Sequence, residues 1–446
     1  MTNVALVVLD TLRKDAFDEH FDWLPGTRYD NAWTPGAWTV PAHGALFGGQ
    51  YPSEVGVYAK AQSLTCKKPV LAESLSGAGY TTRGFSANAN ISDAFDFTRG
   101  FDEFDHSWRG KRRDEDVLDW GRFIDETRNQ GVSRYAEAMY ECFASENDTI
   151  KSLQLGVKLK ARDLGIEWLS GRDDGARKAL EMIRGIEFGN REFLFLNLME
   201  AHSPYNAPSD YRTVDIETQP SFEDTVYDGP DERPEDIRQA YDDCVAYLSD
   251  TYQDIYTELK NDFDYIITVS DHGEMFGTDG IWDHHHGIYP ELTHIPICIS
   301  GDSVEDTQRT ETVNLLDVHR TILDIADCDD VPSRGENLLE NPTSREHLVE
   351  RYGLRTSRVN AVEKMENSTE ILERYDTHLK GVVLSSGDYM WETPDQRKAT
   401  GNIDIADAAN KLNMLVDELD EADVTIGEDS QIPADVESRL KDLGYV

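Results

Sequence analysis

The chain has few basic residues, few cysteines and no long apolar run. Lys and Arg number 43 against 86 Asp and Glu, a formal net charge of -43 over 446 residues. Such a charge repels nucleic acid and anionic membrane surface, so neither is expected as a partner. The acid is spread along the chain instead of gathered in one tail. That distribution matches the solvated surfaces of halophilic proteins, where salt screens the self-repulsion. Cys66, Cys142, Cys244, Cys298 and Cys328 are odd in number and form no C-x-x-C pair. A disulfide framework or a zinc knuckle is therefore not expected, and reduced, cytoplasmic thiols are. The apolar run Val4 to Leu9 is too short to span a membrane, and no export or lipidation signal is read. No membrane insertion is expected.

Hydrophobic residues make up 39% of the chain and aromatics 10%, enough for a sizeable core. The length suits one large α/β domain with an appendage, or two ordinary domains. Short apolar runs recur with polar residues at their C-terminal edges: "VALVVLD" (4–10), "REFLFLNLMEAH" (191–202), "DYIITVSDHG" (264–273) and "IPICISG" (295–301). Such runs, separated by helical stretches, predict buried parallel strands. Ligands of such sheets gather beyond the carboxyl ends of the strands. Asp10, His202 and Asp271 each follow such an end, so they are treated as one site.

"AESLSGAGYTTRGFSAN" (72–88) predicts a helix, a glycine stop and a strand. Residues 105–185 are charged with helical apolar spacing in "VLDWGRFIDETRN", "RYAEAMYECFA" and "ARKALEMIRGI". They predict an insertion of amphipathic helices. Its basic patch "RGKRR" (109–113) suits either an anionic substrate or a solvated turn. The expected domains are a catalytic unit over 1–335 and a smaller C-terminal α+β unit over 336–446. The latter has a hairpin in "HLKGVVLSSGDYMWET", then the helical "DIADAANKLNMLVDELDEA".

Asp10 and Asp271 supply oxygen and His272 nitrogen for one divalent cation. A hydroxyl on that cation would lose its proton more readily, and Thr39 of "WTVPAH" can supply it. The helix that follows would turn its N-terminal N–H groups toward an anion, with Pro41 in its first turn. His202 and one of His284, His285 and His286 could bind ester oxygens or protonate a leaving group. Each residue also has a plain structural role. Asp10 could form a turn, Thr39 could cap its helix, and His43 could sit on a helix face.

Taken in order, "NVALVVLDTLRKD", "TVPAHGALFGGQYPSEVGV", "GYTTRGFSANANISDAFDFTRGFDEF", "AHSPYNAP", "SDHGEMFG" and "HGIYPELTHIPICISG" resemble the successive blocks of the sulfatase family, within the alkaline phosphatase superfamily. The resemblance runs through most of 1–330, and "RLKDLGYV" resembles the family's tail. It implies an α/β/α sandwich with a mostly parallel central sheet and a smaller C-terminal α+β subdomain. It implies Asp10, Asp271 and His272 as metal ligands, and Thr39 as nucleophile on the metal. His202 and His286 would face substrate, the latter because it directly precedes "GIYPEL".

Two departures qualify the activity. The usual second aspartate of the first block is Thr11. The formylglycine motif C/S-x-P-x-R is Thr39-Val40-Pro41-Ala42-His43, and threonine cannot become that aldehyde by the same route. The reading is therefore a metal-dependent hydrolase of a phosphate or sulfate ester, phosphoester favoured. Its substrate would be an anionic small-molecule, glycan or lipid ester. Zinc or manganese is favoured because of His272, with calcium or magnesium as alternatives. Three other readings stand beside it: a sulfatase working without formylglycine, a phosphotransferase to an alcohol, and an inactive anion-binding relative.

Overall fold

The first run, Val4–Leu9, carries no polar side chain, and all its residues are buried. A strand apolar on both faces belongs in the middle of a covered sheet. In the computed structural model the described residues are 2–107, 175–216, 218–227, 229–328 and 330–423, with Cys142 and Thr149. The first sheet contains β1 (Val4–Leu9), β2 (Thr27–Trp33), β3 (Thr81–Ser86), β4 (Glu103–His106), β5 (Glu192–Leu198), β6 (Tyr265–Val269), β7 (Ile297–Ser300) and β8 (Thr307–Asn314). Their order is β4-β3-β5-β1-β6-β7-β2-β8. β1 is central, parallel to β5 on one side and β6 on the other.

The expected strands over "IPICISG" and the other runs are present, but β7 is not parallel. It pairs antiparallel with both β6 and β2, while the other strands of the sheet share one direction. Its apolar run reports burial on both faces, which is the same for either direction.

Helices form two layers. α1 (Lys14–His20), α2 (Thr39–Gly48), α3 (Leu71–Gly77), α4 (Ala176–Gly185), α5 (Pro234–Leu259) and α6 (Leu315–Ile325) come in that chain order. α5 packs on α4 and α1, whereas α2 packs on α3 and α6. The expected insertion over 105–185 opens inside β4 and closes with α4, both of which belong to the main unit. The helices expected at 117–129 and, apart from Cys142, at 134–144 lie outside the described residues. So do the basic patch at 109–113 and the tail at 436–446.

The second sheet comprises β9 (His347–Tyr352), then α7 (Thr356–Val362), β10 (His378–Val383), β11 (Tyr389–Glu392) and β12 (Arg397–Ala399), with α8 (Ile405–Asp417) packed against it. Its strands are antiparallel in the order β12-β11-β10-β9, and β10–β11 is the expected hairpin. β9 is tied to the first half of the chain. Glu350 donates its N–H to the Pro35 carbonyl at 2.9 Å, and Ser53 Oγ donates to the Glu350 carboxylate at 2.9 Å. No helix of the described residues is long and apolar enough to cross a membrane.

α2 carries Thr39 and is buried along its whole length. It stops at Gly49, where φ is +65° and the N–H donates to Ala45 at 2.8 Å. A methyl group there would sit 2.4 Å from the His319 ring on α6. Gly49→Ala therefore combines a left-handed backbone with a clash. It is expected to lower unfolding stability by roughly 1–3 kcal/mol, read from urea denaturation. An unchanged midpoint would contradict this account of the helix end.

Candidate active site

The ends of β1, β3, β5 and β6 converge. Asp10 follows β1, and its N–H donates to the Leu198 carbonyl of β5 at 2.8 Å. Thr11 comes next with φ +63°, an uncommon conformation for a β-branched residue. That turn aims its N–H at Asp271 Oδ1, 3.2 Å away, and its hydroxyl at Asp10 Oδ1, 2.9 Å away. Leu12 donates its N–H to Ser270 Oγ at 3.1 Å, and Ser270 donates to the His272 carbonyl at 2.7 Å. The turns after β1 and β6 are thereby locked together. Gly273 completes "SDHG" because a Cβ there would lie 2.1 Å from the Glu291 carbonyl oxygen.

Thr39 is the first residue of α2, not its cap; that position belongs to Trp38. The Thr39 hydroxyl is fully buried, 3.3 Å from His272 Nε2. It also accepts from Asn88 Nδ2 at 3.3 Å, and the same amide donates to Asp10 Oδ2 at 2.9 Å. Asn88 stands just past β3, and Asn90 fixes its amide by donating from Nδ2 to Asn88 Oδ1 at 3.1 Å.

One turn along α2, His43 Nδ1 lies 2.9 Å from the Thr39 carbonyl and 3.5 Å from Asp271 Oδ2. Its Nε2 is 3.3 Å from Asn197 Nδ2, on β5. Burial lowers the His43 pKa to about 4 despite the attraction of Asp10. The ring is neutral, with Nδ1–H donating to Thr39 and Nε2 accepting from Asn197. His43 thus holds α2 against the sheet.

His272 Nδ1–H donates to the Gly273 carbonyl at 2.8 Å. Burial, more than its charged neighbours, takes its pKa down to about 3. Its Nε2 therefore presents a lone pair to Asp271 Oδ2 at 3.5 Å and Asp10 Oδ1 at 3.8 Å. Asp271 Oδ2 is buried with no hydrogen-bond partner. Burial, and then the charge of Asp10, push the Asp271 carboxyl well above the ordinary value. Without an ion the Asp271 carboxyl therefore keeps a proton against Asp10 and the His272 lone pair, and a divalent cation would take that proton's place. Ligand atoms of Asp10, Asp271 and His272 all lie within 4.8 Å of each other. Two carboxylates and a neutral imidazole with its second nitrogen anchored to a carbonyl are a fitting set for a divalent ion.

His202 is buried beside Asp10, with Nδ1 2.5 Å from the Ser203 carbonyl. The ring that meets it is His284, at 4.9 Å between centroids, and His284 is also 4.7 Å from His272. His286 is placed differently, edge-on to Tyr375 at 4.8 Å. The three consecutive histidines diverge after Asp283, whose φ is +64°. His284 Nδ1 lies 2.9 Å from Asp283 Oδ1 and 3.3 Å from Glu274. Burial alone would lower the His284 pKa, but Asp283 and Glu274 outweigh it and hold the imidazolium well above the usual range. Asp283, His284 and His285 form a second group with ligand spacing. There the imidazolium already answers the carboxylates.

The predicted Asp10, Thr39, Asp271 and His272 are therefore brought together, with His202 beside them. Sequence reasoning missed Asn88, Asn197, Glu274 and the anchoring contacts of His43. A polar Asn197 inside the apolar run of β5 was a usable signal, and the other three had none.

A model of the sulfatase family matches residues 3–328, more than half of the chain. The chain belongs to the sulfatase family. It is accordingly a hydrolase of ester bonds, and the family's enzymes are metal-dependent. Among solved structures it is similar to the phosphonate monoester hydrolase SpPMH from Silicibacter pomeroyi. The TM-score is 0.61 and the identity 16%, covering 96% of this chain and 97% of that one. The phosphonate monoester hydrolase of Agrobacterium radiobacter gives 0.60 and 16%, over 99% and 95%. A protein of the alkaline phosphatase superfamily from Vibrio parahaemolyticus gives 0.50 and 14%, over 99% and 88%. At such identities the likeness establishes the alkaline-phosphatase-like fold. No curated protein is significantly similar in sequence.

Proposed function

We propose that this sulfatase-family hydrolase cleaves a phosphoester with Thr39 as nucleophile, beside a single divalent ion held by Asp10, Thr39, Asp271 and His272. The observation that carries the reading is the Thr39 hydroxyl, 3.3 Å from His272 Nε2 and held by the amide that also binds Asp10. A bound ion supplies positive charge that favours the Thr39 alkoxide and offsets charge on the ester. Zinc or manganese suits the mixed oxygen and nitrogen set.

The chain's own groups do the rest. Asn88 orients Oγ1, and His43 fixes the turn of helix that presents it. Thr39 Oγ1, its proton passed to water, bonds to phosphorus as the bond to the leaving oxygen breaks. His284, already an imidazolium, is better placed than His286 to give that oxygen its proton. His202, with its Nδ1–H committed to Ser203, turns Nε2 to the reacting group. Water then displaces the phosphoryl group from Thr39, and the hydroxyl is restored.

Phosphorus is favoured over sulfur because Thr39 lacks the geminal hydroxyl by which a formylglycine hydrate expels sulfate. The test is kcat/KM of zinc- and manganese-loaded protein on an aryl phosphate, an aryl phosphodiester, an aryl phosphonate monoester and an aryl sulfate. The phosphonate is included because two structural neighbours bear that activity in their names. A phosphorus ester is expected to lead. Sulfate turnover above all three would overturn the preference.

A further inference from the structure

In a chain of net charge -43, three arginines converge beside the reaction centre. They line a pocket with Trp38, His284, His285 and Leu354. Trp38 immediately precedes Thr39, and His284 is shared with the site described above. Arg351 comes from β9, Arg355 from the turn after it and Arg358 from α7.

Arg351 is the informative one. It is only 5% exposed. One guanidinium nitrogen donates to the His285 carbonyl, while Nε and Nη1 have no hydrogen-bond partner. Burial lowers its pKa to about 10, and the nearest opposing charge, Asp376, does not restore it. Asp376 is itself engaged by Lys60 Nζ at 2.7 Å and by the Leu354 N–H at 2.8 Å. Glu223 is engaged by Arg358 at 3.1 Å, and Asp283 by His284 and His285. Burying a cation with two open donor sites is costly unless an anion completes it.

The pocket is also wired to the nucleophile. Arg355, 7% exposed, lies over the Trp38 ring at 5.2 Å and donates to Asn90 Oδ1 at 3.0 Å. Asn90 holds Asn88, and Asn88 holds Thr39 and Asp10.

We propose that this pocket binds a second anionic group of the substrate, so that the ester cleaved at Thr39 belongs to a molecule carrying another, separate negative charge. The inference rests on the reading of Thr39 as the reacting end. Nε and Nη1 open on different edges of the Arg351 guanidinium, and an oxygen of a carboxylate or a sulfate can accept from either. The C-terminal unit thereby selects the substrate, while the first sheet performs the chemistry.

The test is equilibrium binding, so that it does not depend on turnover. Arylmethylphosphonates, uncleavable because a CH₂ replaces the ester oxygen, carrying a carboxylate, a sulfate or a neutral amide on a flexible arm are titrated calorimetrically into metal-loaded protein. Either charged arm is expected to tighten Kd roughly tenfold or more over the amide, and the stronger of the two identifies the group. In Arg351→Gln, checked for folding by its melting curve, the charged-to-neutral ratio is expected to fall to about one. Equal affinities for all three compounds in the unaltered protein would overturn the subsite, whatever becomes of the variant. A ratio preserved in Arg351→Gln would overturn the assignment to Arg351. Failure of the Thr39 chemistry would instead appear as absent turnover with the binding ratio intact.

Discussion

Replacing Thr39 by alanine is expected to lower kcat roughly 10³-fold or more on the best phosphorus ester while the bound metal stays at the unaltered level. The Thr39 hydroxyl lies beside the ligand cluster, 3.3 Å from His272 and 3.3 Å from Asn88. The neighbouring His43 does not substitute. His43 has one nitrogen on the Thr39 carbonyl and the other facing Asn197, and its lowered pKa keeps it neutral. Asp10, Asp271 and His272 remain in Thr39→Ala, so the ion should stay. Thr39→Ser keeps the oxygen and loses a methyl group, and is expected to retain most of the activity. Acid quenching during turnover should leave one phosphoryl group on the peptide containing residue 39, detected by its mass. If Thr39→Ala stays within tenfold of the unaltered protein, the attacking oxygen is not this one.

The parts of this site that were legible lie where an apolar run ends. Leu9 to Asp10 and Val269 to Asp271 mark places where a buried strand meets a polar group that burial must explain. Composition says nothing of strand direction, so the reversal of β7 was hidden. Nor does it say which of three adjacent histidines faces inward. That choice is made by the positive φ of Asp283, a backbone fact that no residue type announces for aspartate. Asn88 and His43 were hidden for a different reason. Each earns its place through partners far away in sequence: Asp10 is 78 positions from Asn88, and Asn197 is 154 from His43. The same holds for Arg351. Within "HLVERYGLR" it looks like the solvent-facing residue of an edge strand, and only the packing of β9 buries it.

Asp271→Asn is expected to change two properties in opposite directions. In metal-loaded protein it should abolish stoichiometric binding of the ion, measured by elemental analysis, and with it turnover. In metal-stripped protein it should raise stability at neutral pH by roughly 1–3 kcal/mol. The reason is the buried carboxyl pair. The folded pKa of Asp271 is raised by burial and by Asp10, so without an ion the folded chain holds more protons there than the unfolded one. Its contribution to stability is then complete below the unfolded carboxyl value of about 4 and is lost as pH rises. An amide removes that penalty without disturbing the turn. Its oxygen can still accept from the Thr11 and His272 N–H groups, at 3.2 Å and 2.9 Å in the unaltered chain. Its NH₂ would replace the unpartnered Oδ2 and meet the His272 Nε2 lone pair, now 3.5 Å away. Melting curves of both stripped proteins between pH 5 and about 8 provide the check, with the gap widening as pH rises. A stripped variant that melts below the stripped parent, or one that still binds an ion in full, would remove the electrostatic basis for placing a cation between Asp10 and Asp271.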